Sequence, residues 1–283
     1  MAQWSAHPED FQLIQRIPVT KSYCQWPIQL NEPVGDEITM VILDTETTGL
    51  SLEEDVIIEL GLVKISYSKS AKRITSILDV VSLYEDPHRP IPENITQLTG
   101  ITNEMVAGQK IDEALVTEWL HERQLTVAHN AQFDRPVFEK RFPHLSGLYW
   151  ACSFQGIAWD ELGCESRKLK YLLKDAGWFY EGHRASIDCL AVAWLFYIKP
   201  ESLESLLDNA RKKTAVVKAM AAPFDVKDQL KARGYYWNGS DKYWWTEIWE
   251  NDLEAEKAFL KALYPRSETD AEYEIKSAKE RFK

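Results

Sequence analysis

Four carboxylates and one histidine, spread over three distant motifs, place the strongest constraint on how this chain folds. The first motif holds Asp44 and Glu46, the second holds Asp134, and the third holds His183 and Asp188. Carboxylates gathered in one place repel one another, and such a group is tolerated mainly when divalent cations lie among them. Hard oxygen ligands of this kind suit Mg²⁺ or Mn²⁺. The sequence therefore predicts a metal site built from three separate segments.

The positions of these residues within predicted elements are consistent with such a site. Asp44 and Glu46 end a predicted strand, and residues two apart on a strand point to the same face. Asp134 lies early in a predicted helix, where the helix dipole favours a carboxylate. His183 precedes the helix that holds Asp188, so the imidazole can move while the carboxylate is fixed. Taken singly, each residue has a structural alternative: a solvated turn acid, an acid at a helix start, or a satisfied histidine.

The segments around these residues resemble a known family. The runs 44–50, 129–134 and 183–188 match the D-x-E-T-T-G-L, H-N-A-x-F-D and H-x-x-x-x-D motifs of the DEDDh 3′–5′ exonucleases. This DnaQ-like superfamily includes the epsilon subunit of bacterial DNA polymerase III, RNase T and oligoribonuclease. The segments 58–61 and 95–102 are also similar, and the resemblance spans about residues 37–198. Three motifs in order at family-like spacing are a strong signal, although one alone is weak.

The resemblance implies a two-metal active site on an RNase H-like fold. Asp44, Glu46, Asp134 and Asp188 would hold two divalent ions, Mg²⁺ or Mn²⁺, and His183 would be the general base toward water. These five form the expected catalytic set, and His129 is assigned a structural role. The residues expected to contact substrate are Thr45, Thr47, Thr48, Gly49, Leu50, Leu98, Thr99, Ile101, Asn130 and Phe133.

The expected activity follows from the same resemblance. It is removal of nucleoside 5′-monophosphates from a free 3′ end of single-stranded nucleic acid, with DNA favoured over RNA, as in DNA replication or repair. An exoribonuclease stays open, because RNA selectivity depends on contacts to the 2′-hydroxyl. A non-catalytic binding or scaffold protein on the same fold also stays open, although the intact catalytic set argues against it. A replication or repair protein as partner is left open.

Hydrophobic patterning predicts an α/β fold in which helices flank a mixed sheet. A meander of strands at 40–44, 60–67 and 74–83 leads the domain, which we place at 37–205 after an N-terminal arm, 1–36, packed on the core. Further strands are predicted at 125–129 and 149–153. Helices are predicted at 95–98, 103–107, 113–122, 131–142, 168–176 and 184–197.

The C-terminal part is predicted to be a small α+β module, 214–265, followed by a frayed polar tail, 266–283. A strand at 214–220 and a helix at 223–233 precede a hairpin, 235–237 with 242–248, and a closing helix at 253–263. Basic side chains are dense before the hairpin, and aromatic ones within it. Such a pattern is typical of single-strand binders. We favour the alternative, that the aromatics form the core of a small module and that Trp237 and Trp245 are buried.

Composition limits the partners and the compartment. The net charge is -11, and residues 1–210 carry 18 basic against 31 acidic side chains, while residues 211–283 carry 15 against 13. An acidic protein is a poor general binder of long duplex DNA. The longest apolar run, 189–198, is half of the ~20 residues that a membrane helix needs, so no span is expected. With no secretory signal and no C-x-x-C pair among four cysteines, the sequence indicates a cytoplasmic protein.

Overall fold

The protein consists of two compact units. The computed structural model describes residues 10, 12–21, 24–121 and 124–283. The first unit comprises Met1–Asn209 with Phe282–Lys283, and the second comprises Ala210–Arg281. Most of the start of the predicted N-terminal arm, residues 1–9 and 11, lies outside the described residues. Within the described parts of the chain, no helix is long and apolar enough to cross a membrane.

A mixed sheet of six strands forms the centre of the first unit and confirms the predicted fold class. The strands of this unit are β1 (Gln15–Arg16), β2 (Ile28–Gln29), β3 (Glu37–Thr47), β4 (Ile57–Ser68), β5 (Arg73–Tyr84), β6 (Leu125–Ala128), β7 (Tyr149–Cys152) and β8 (Trp178–Phe179). The order in the six-stranded sheet is β2-β5-β4-β3-β6-β7; the strands from β2 to β3 pair antiparallel, and β3, β6 and β7 pair parallel. A separate parallel pair joins β1 to β8.

The α-helices that the structure describes in the first unit all come after β5 in the sequence. They are α1 (Glu93–Thr99), α2 (Asn103–Val106), α3 (Glu113–Trp119), α4 (Ala131–Arg141), α5 (Leu169–Asp175), α6 (Ala185–Ile198) and α7 (Pro200–Arg211). Asp112 begins α3 by accepting hydrogen bonds from two backbone amides, as a capping carboxylate does. In the described part of the arm, Ile17 and Val19 are buried, and the Ile17 amide donates a hydrogen bond to the carbonyl of Phe179.

Apolar side chains of the central strands make the core that positions the site. Leu43 and Leu60 pack in one cluster with Phe138 and Trp150, which come from α4 and β7. The helix α6 is apolar on most of its surface and lies against β3, β4 and β5. Its first turn reaches β4 at Gly61, where an added Cβ atom would lie 2.3 Å from the carbonyl carbon of Ala185. Glycine at this position therefore permits the approach of helix and sheet.

The second unit is an antiparallel sheet with three α-helices. Its strands are β9 (Thr214–Ala219), β10 (Tyr236–Asn238), β11 (Tyr243–Trp249) and β12 (Glu272–Lys276), and its helices are α8 (Lys227–Ala232), α9 (Leu253–Leu263) and α10 (Ser267–Asp270). The order of the strands in the sheet is β10-β11-β9-β12. The expectation of a frayed tail after residue 265 is wrong, because β12 pairs with β9 along its length. Backbone hydrogen bonds order this segment despite its polar side chains.

The aromatic core of the second unit differs from the predicted one. Tyr235 and Trp244 are buried with Leu230 and Leu260, whereas Trp237 is 51% exposed and Trp245 is only partly buried. The prediction that Trp237 and Trp245 are buried is therefore wrong. The register of the sheet sets Trp244 opposite Ala219 on the core face, and Trp245 consequently points to the other face.

Candidate active site

Three carboxylates from two elements meet at the end of β3. One oxygen each of Asp44, Glu46 and Asp188 lies within 4.8 Å of the others. Asp44 and Glu46 share a face of β3, and Asp188 comes from the first turn of α6. The donors are all carboxylate oxygens, which are the ligands preferred by hard divalent cations. These three residues could therefore hold a metal ion.

The electrostatics of this cluster show an excess of negative charge. Burial, together with the charges of Asp134 and Asp188, holds the pKa of Asp44 well above its ordinary value. Burial and the charges of Asp188 and Glu59 raise the pKa of Glu46 to about 8. Burial also raises the pKa of Asp188. A cation placed among these groups would remove the repulsion, so the cluster fits a metal ion electrostatically as well as by ligand type.

Asp134 lies beside the cluster but is directed differently. Its Oδ1 atom accepts hydrogen bonds from the backbone amide of Thr45 at 3.0 Å and from the Thr45 hydroxyl at 2.8 Å. Burial raises the pKa of Asp134 to about 7, although these hydrogen bonds oppose the shift. The Asp134 carboxylate thus adds negative charge next to Asp44 and ties α4 to β3. It is not among the three residues whose oxygens converge.

The turn before α6 fixes Asp188 and leaves His183 exposed. Asp188 accepts a hydrogen bond from the Tyr180 hydroxyl at 2.9 Å and another from the backbone amide of Arg184 at 3.1 Å. His183 has a φ of 68°, a left-handed conformation that is uncommon for a residue with a side chain. The structure therefore holds the carboxylate and presents the imidazole to solvent beside it.

Glu59 is a site residue that sequence reasoning did not single out. It is fully buried on β4, and it accepts hydrogen bonds from the Arg184 guanidinium at 3.1 Å and the Ala185 amide at 3.2 Å. Ser82 donates a third at 2.6 Å. Arg184 also contacts the Tyr84 hydroxyl. Glu59 therefore anchors the turn that carries His183, and a charged residue inside the apolar run 57–63 was the signal that could have revealed it.

The residues expected to contact substrate divide by exposure. Buried side chains belong to Thr45, Thr47, Thr48, Thr99 and Ile101. Leu50 is 84% exposed, Leu98 is 52% exposed and Asn130 is also exposed, while Gly49 and Phe133 are intermediate. The buried side chains are engaged within the protein; Thr48, for example, donates to Asp55 at 2.7 Å. Their contact with substrate stays a prediction, and Leu50, Leu98 and Asn130 are the side chains most open to a ligand.

The loop that presents Leu50 is held on both sides. Asp55 accepts hydrogen bonds from the Ser51 amide at 2.9 Å and from Arg89 at 3.0 Å. Lys140 donates to three backbone carbonyls of the same loop, the shortest being that of Glu53 at 2.6 Å. A rigid loop can hold an exposed leucine at a constant position.

His129 is a structural histidine. Its Nδ1 atom lies 2.9 Å from the Ser153 hydroxyl, and its ring packs edge-on against Phe154. Burial lowers the pKa of His129 to about 4. The ring is therefore neutral near neutral pH, which leaves His183 as the histidine beside the carboxylates.

Comparison with known proteins places this geometry in a family. The model of the RNase_T exonuclease family matches residues 41–196. The PolC-type DNA polymerase III of Bacillus cereus is 39% identical over 113 residues, which are 38% of this chain and 7% of that protein. The same enzyme of Staphylococcus saprophyticus is 31% identical over 178 residues, covering 59% of this chain and 12% of that protein. This chain thus spans only a small fraction of the curated relatives it matches.

Among solved structures, an exonuclease I complex from E. coli shares the fold. The zinc-bound exonuclease I–ssDNA complex is 14% identical, with a TM-score of 0.50, and the match covers 81% of this chain and 68% of that one. The family match includes every motif that carries the cluster, from Asp44 to Asp188. The chain therefore belongs to the RNase_T exonuclease family, the DnaQ-like DEDDh 3′–5′ exonucleases that its motifs resemble.

Proposed function

We propose that this protein removes nucleoside 5′-monophosphates one at a time from the 3′ end of single-stranded nucleic acid. The observation that carries the proposal is the convergence of Asp44, Glu46 and Asp188 within 4.8 Å, next to an exposed His183. A binding protein on the same fold would have no use for a cluster of mutually repelling carboxylates, whose burial costs free energy.

Four residues would hold two divalent cations, Mg²⁺ or Mn²⁺. Asp44, Glu46 and Asp188 form the convergent set, and Asp134 would complete it after adjusting its hydrogen bonds with Thr45. The bound cations would supply charge stabilisation to the oxygens of the scissile phosphate. The excess negative charge of the cluster, seen in the raised pKa values of Glu46 and Asp134, supports this assignment.

His183 is the residue suited to take the proton of the attacking water. His183 is exposed in the turn before α6, five residues ahead of Asp188. An imidazole can act as a general base that accepts a proton from water. Tyr180 and Arg184 hold Asp188 still while the imidazole moves.

We assign recognition of the nucleic-acid 3′ end to the loop at residues 50–55 and to α1. The exposed Leu50 and Leu98 offer apolar surface against which a terminal base could stack, and Asn130 offers a polar side chain. DNA is the favoured substrate, because the curated relatives are named as DNA polymerases. The four cysteines are all free, which supports a reducing compartment such as the cytoplasm.

The test is turnover of 5′-labelled single-stranded DNA and RNA of the same sequence, side by side, with Mg²⁺ or Mn²⁺. We expect a ladder that shortens from the 3′ end, release of mononucleotides, faster cleavage of DNA, and inhibition by a 3′-phosphate. Faster cleavage of RNA would establish the exoribonuclease instead. Efficient cutting of a closed circular strand would exclude an exonuclease, and no cleavage of any substrate with either metal would favour a binding protein.

A further inference from the structure

Two lysines and three aromatic rings lie in contact pairs on the second unit. In this group, which we call the cation–aromatic strip, Lys227 Nζ lies 3.9 Å from the ring centroid of Phe224, and Lys231 Nζ lies 5.8 Å from that of Trp244. The Trp244 ring lies 5.4 Å from that of Trp237. The two lysines are four residues apart on α8 and therefore share one face of that helix. These five residues come from one helix with its preceding turn and from the neighbouring hairpin of the second unit.

The outer rings of this strip are unusually open to solvent. Phe224 is 76% exposed and Trp237 is 51% exposed, while Trp244 is buried as part of the core. A single exposed apolar residue needs no explanation. Here, however, the buried Trp244 packs against Trp237, and Lys227 contacts the ring of Phe224, so both exposed rings are held by neighbours.

The lysines of the cation–aromatic strip form no salt bridge in the part of the chain that the structure describes. Within the described residues, no carboxylate lies within 4.0 Å of the ammonium groups of Lys227 or Lys231. By contrast, Lys218 forms a salt bridge with Glu272, and Lys261 forms one with Glu268. The strip therefore offers two ammonium groups to an anionic ligand.

We propose that the cation–aromatic strip binds single-stranded nucleic acid. Bases would stack on Phe224 and Trp237, and Lys227 and Lys231 would contact the phosphates between them. Flat aromatic faces with interleaved cations suit a polymer that alternates bases with phosphates, and this combination is the general mode of single-strand binding. The class of ligand rests on the proposed function, since the strand bound here would be the substrate of the catalytic unit.

The test measures binding by the full-length protein in EDTA, where no cleavage occurs. The probe is a fluorescent oligo-dT of about 16 nucleotides, the upper end of known site sizes. Phe224→Ala combined with Trp237→Ala should weaken binding by at least about tenfold, the loss expected when stacking rings are removed. Lys227→Gln combined with Lys231→Gln should lower the slope of log Kd against log salt by about 1.4, because each phosphate contact contributes about 0.7.

Two matched variants serve as controls. Tyr236→Ala removes an aromatic residue that is 67% exposed and adjacent to Trp237, but whose ring faces the other side of β10 and packs near Trp245. Lys261→Gln removes a charge that is already paired with Glu268. Both should bind the probe like the wild type. Trp237→Phe should restore most of the binding lost in Trp237→Ala, because it keeps a stacking face.

Several outcomes would overturn the proposal. These are wild-type affinity and salt slope in the double-lysine variant, equal losses in the controls, or displacement of the probe by poly-glutamate at the same charge concentration, which would indicate an acidic protein partner. The lysine pair keeps the test valid if the aromatic variants unfold. Failure of the proposed function is separate: it would appear as absent cleavage by the wild type with metal, whether or not the strip binds.

Discussion

The two units treat buried carboxylates in opposite ways. In the second unit, Glu256 is 3% exposed and accepts hydrogen bonds from the Tyr235 hydroxyl at 2.9 Å and the Arg233 guanidinium at 3.1 Å. In the first unit, Asp44 and Glu46 lie among other acids, and within the described residues no lysine or arginine nitrogen comes within 4.0 Å of either. The charge of Glu256 is compensated by its hydrogen-bonded partners, whereas a buried cluster of acids without such partners costs stability. Binding of a cation would offset that cost.

Glu59 shows that this contrast depends on partners and not on the unit. It is as buried as any residue of the first unit, yet Arg184, Ser82 and the Ala185 amide all bind it. Glu59 and Glu256 thus have partners within the protein, and we propose that the convergent carboxylates are the reactive site. Four predictions test this division.

The largest effect should follow from removing a carboxylate of the cluster. Replacing Asp44, Glu46, Asp134 or Asp188 by Ala should reduce cleavage about 10³-fold or more, because several kcal/mol of charge stabilisation are lost. The melting temperature in EDTA should stay the same or rise, since repulsion is relieved. Asp79→Asn, on the exposed part of β5, is the control and should change neither quantity. Near wild-type cleavage by any two of the four variants at saturating Mg²⁺ would contradict the metal site.

His183→Ala should lower the rate by about 10²–10⁴-fold, the range of a general base. The Mg²⁺ concentration for half-maximal rate should change little, because the imidazole is outside the convergent set. His88→Ala offers a close control, since His88 is also exposed and has a φ of 53°. A large shift in the metal midpoint, with rate restored by excess metal, would make His183 a ligand instead.

Glu59→Gln and Glu256→Gln should separate support of the site from support of the fold. Each should lower the free energy of unfolding by about 1–3 kcal/mol, because buried donors lose a charged acceptor. Glu59→Gln should also slow cleavage by about 10–100-fold, as loss of a residue that orients metal ligands does. Glu256→Gln should leave the rate on a dinucleotide unchanged. Equal losses of rate in both variants would remove the distinction between the two buried acids.

The smallest effect concerns pH in the absence of metal. The folded state raises the pKa of Glu46 to about 8 and that of Asp134 to about 7, from about 4.3 and 3.9 in an unfolded chain. The folded protein therefore binds more protons between about pH 4 and pH 8, and its stability falls as pH rises through that range. Melting curves in EDTA should show this fall, and saturating Mg²⁺ should reduce it. Glu46→Gln should flatten the dependence; an unchanged slope would argue against the raised pKa of Glu46.

Much of the sheet and most helices were predictable, because their signals are local. The meander strands have long apolar runs, and the predicted hairpin and the helix at 253–263 match β10, β11 and α9. Non-local pairing explains the omissions. β1 and β8 have two residues each and exist only through each other, while β12 is polar and is fixed by β9. The burial of Trp244 was not readable from three consecutive aromatic residues, since only the register decides which one faces inward.

The site was predictable where chemistry restricts the residue type. Carboxylates are favoured ligands of hard divalent cations, so Asp44, Glu46 and Asp188 stood out in their motifs, and they converge in the structure. Supporting residues are less restricted. Tyr180 binds Asp188 through a hydroxyl that many other sequences could supply, and no spacing marked it. The orientation of Asp134 toward Thr45 likewise depends on packing between α4 and β3, which a sequence pattern does not encode.

Gly61 lies opposite Asp44 in the register of β3 and β4, and it gives this enzyme a mutational sensitivity outside the carboxylates themselves. A Cβ atom there would lie 2.3 Å from the Ala185 carbonyl carbon and 2.4 Å from the Ser186 nitrogen, so even alanine would displace the start of α6. Asp188 moves with that helix, whereas Asp44 is fixed on the sheet opposite Gly61. One methyl group would thus move Asp188 relative to Asp44 and alter the separation of the carboxylates proposed to hold a cation. Glycine at position 61 thus sets how closely α6 approaches the sheet. A substitution there could disable catalysis without altering any of the carboxylates.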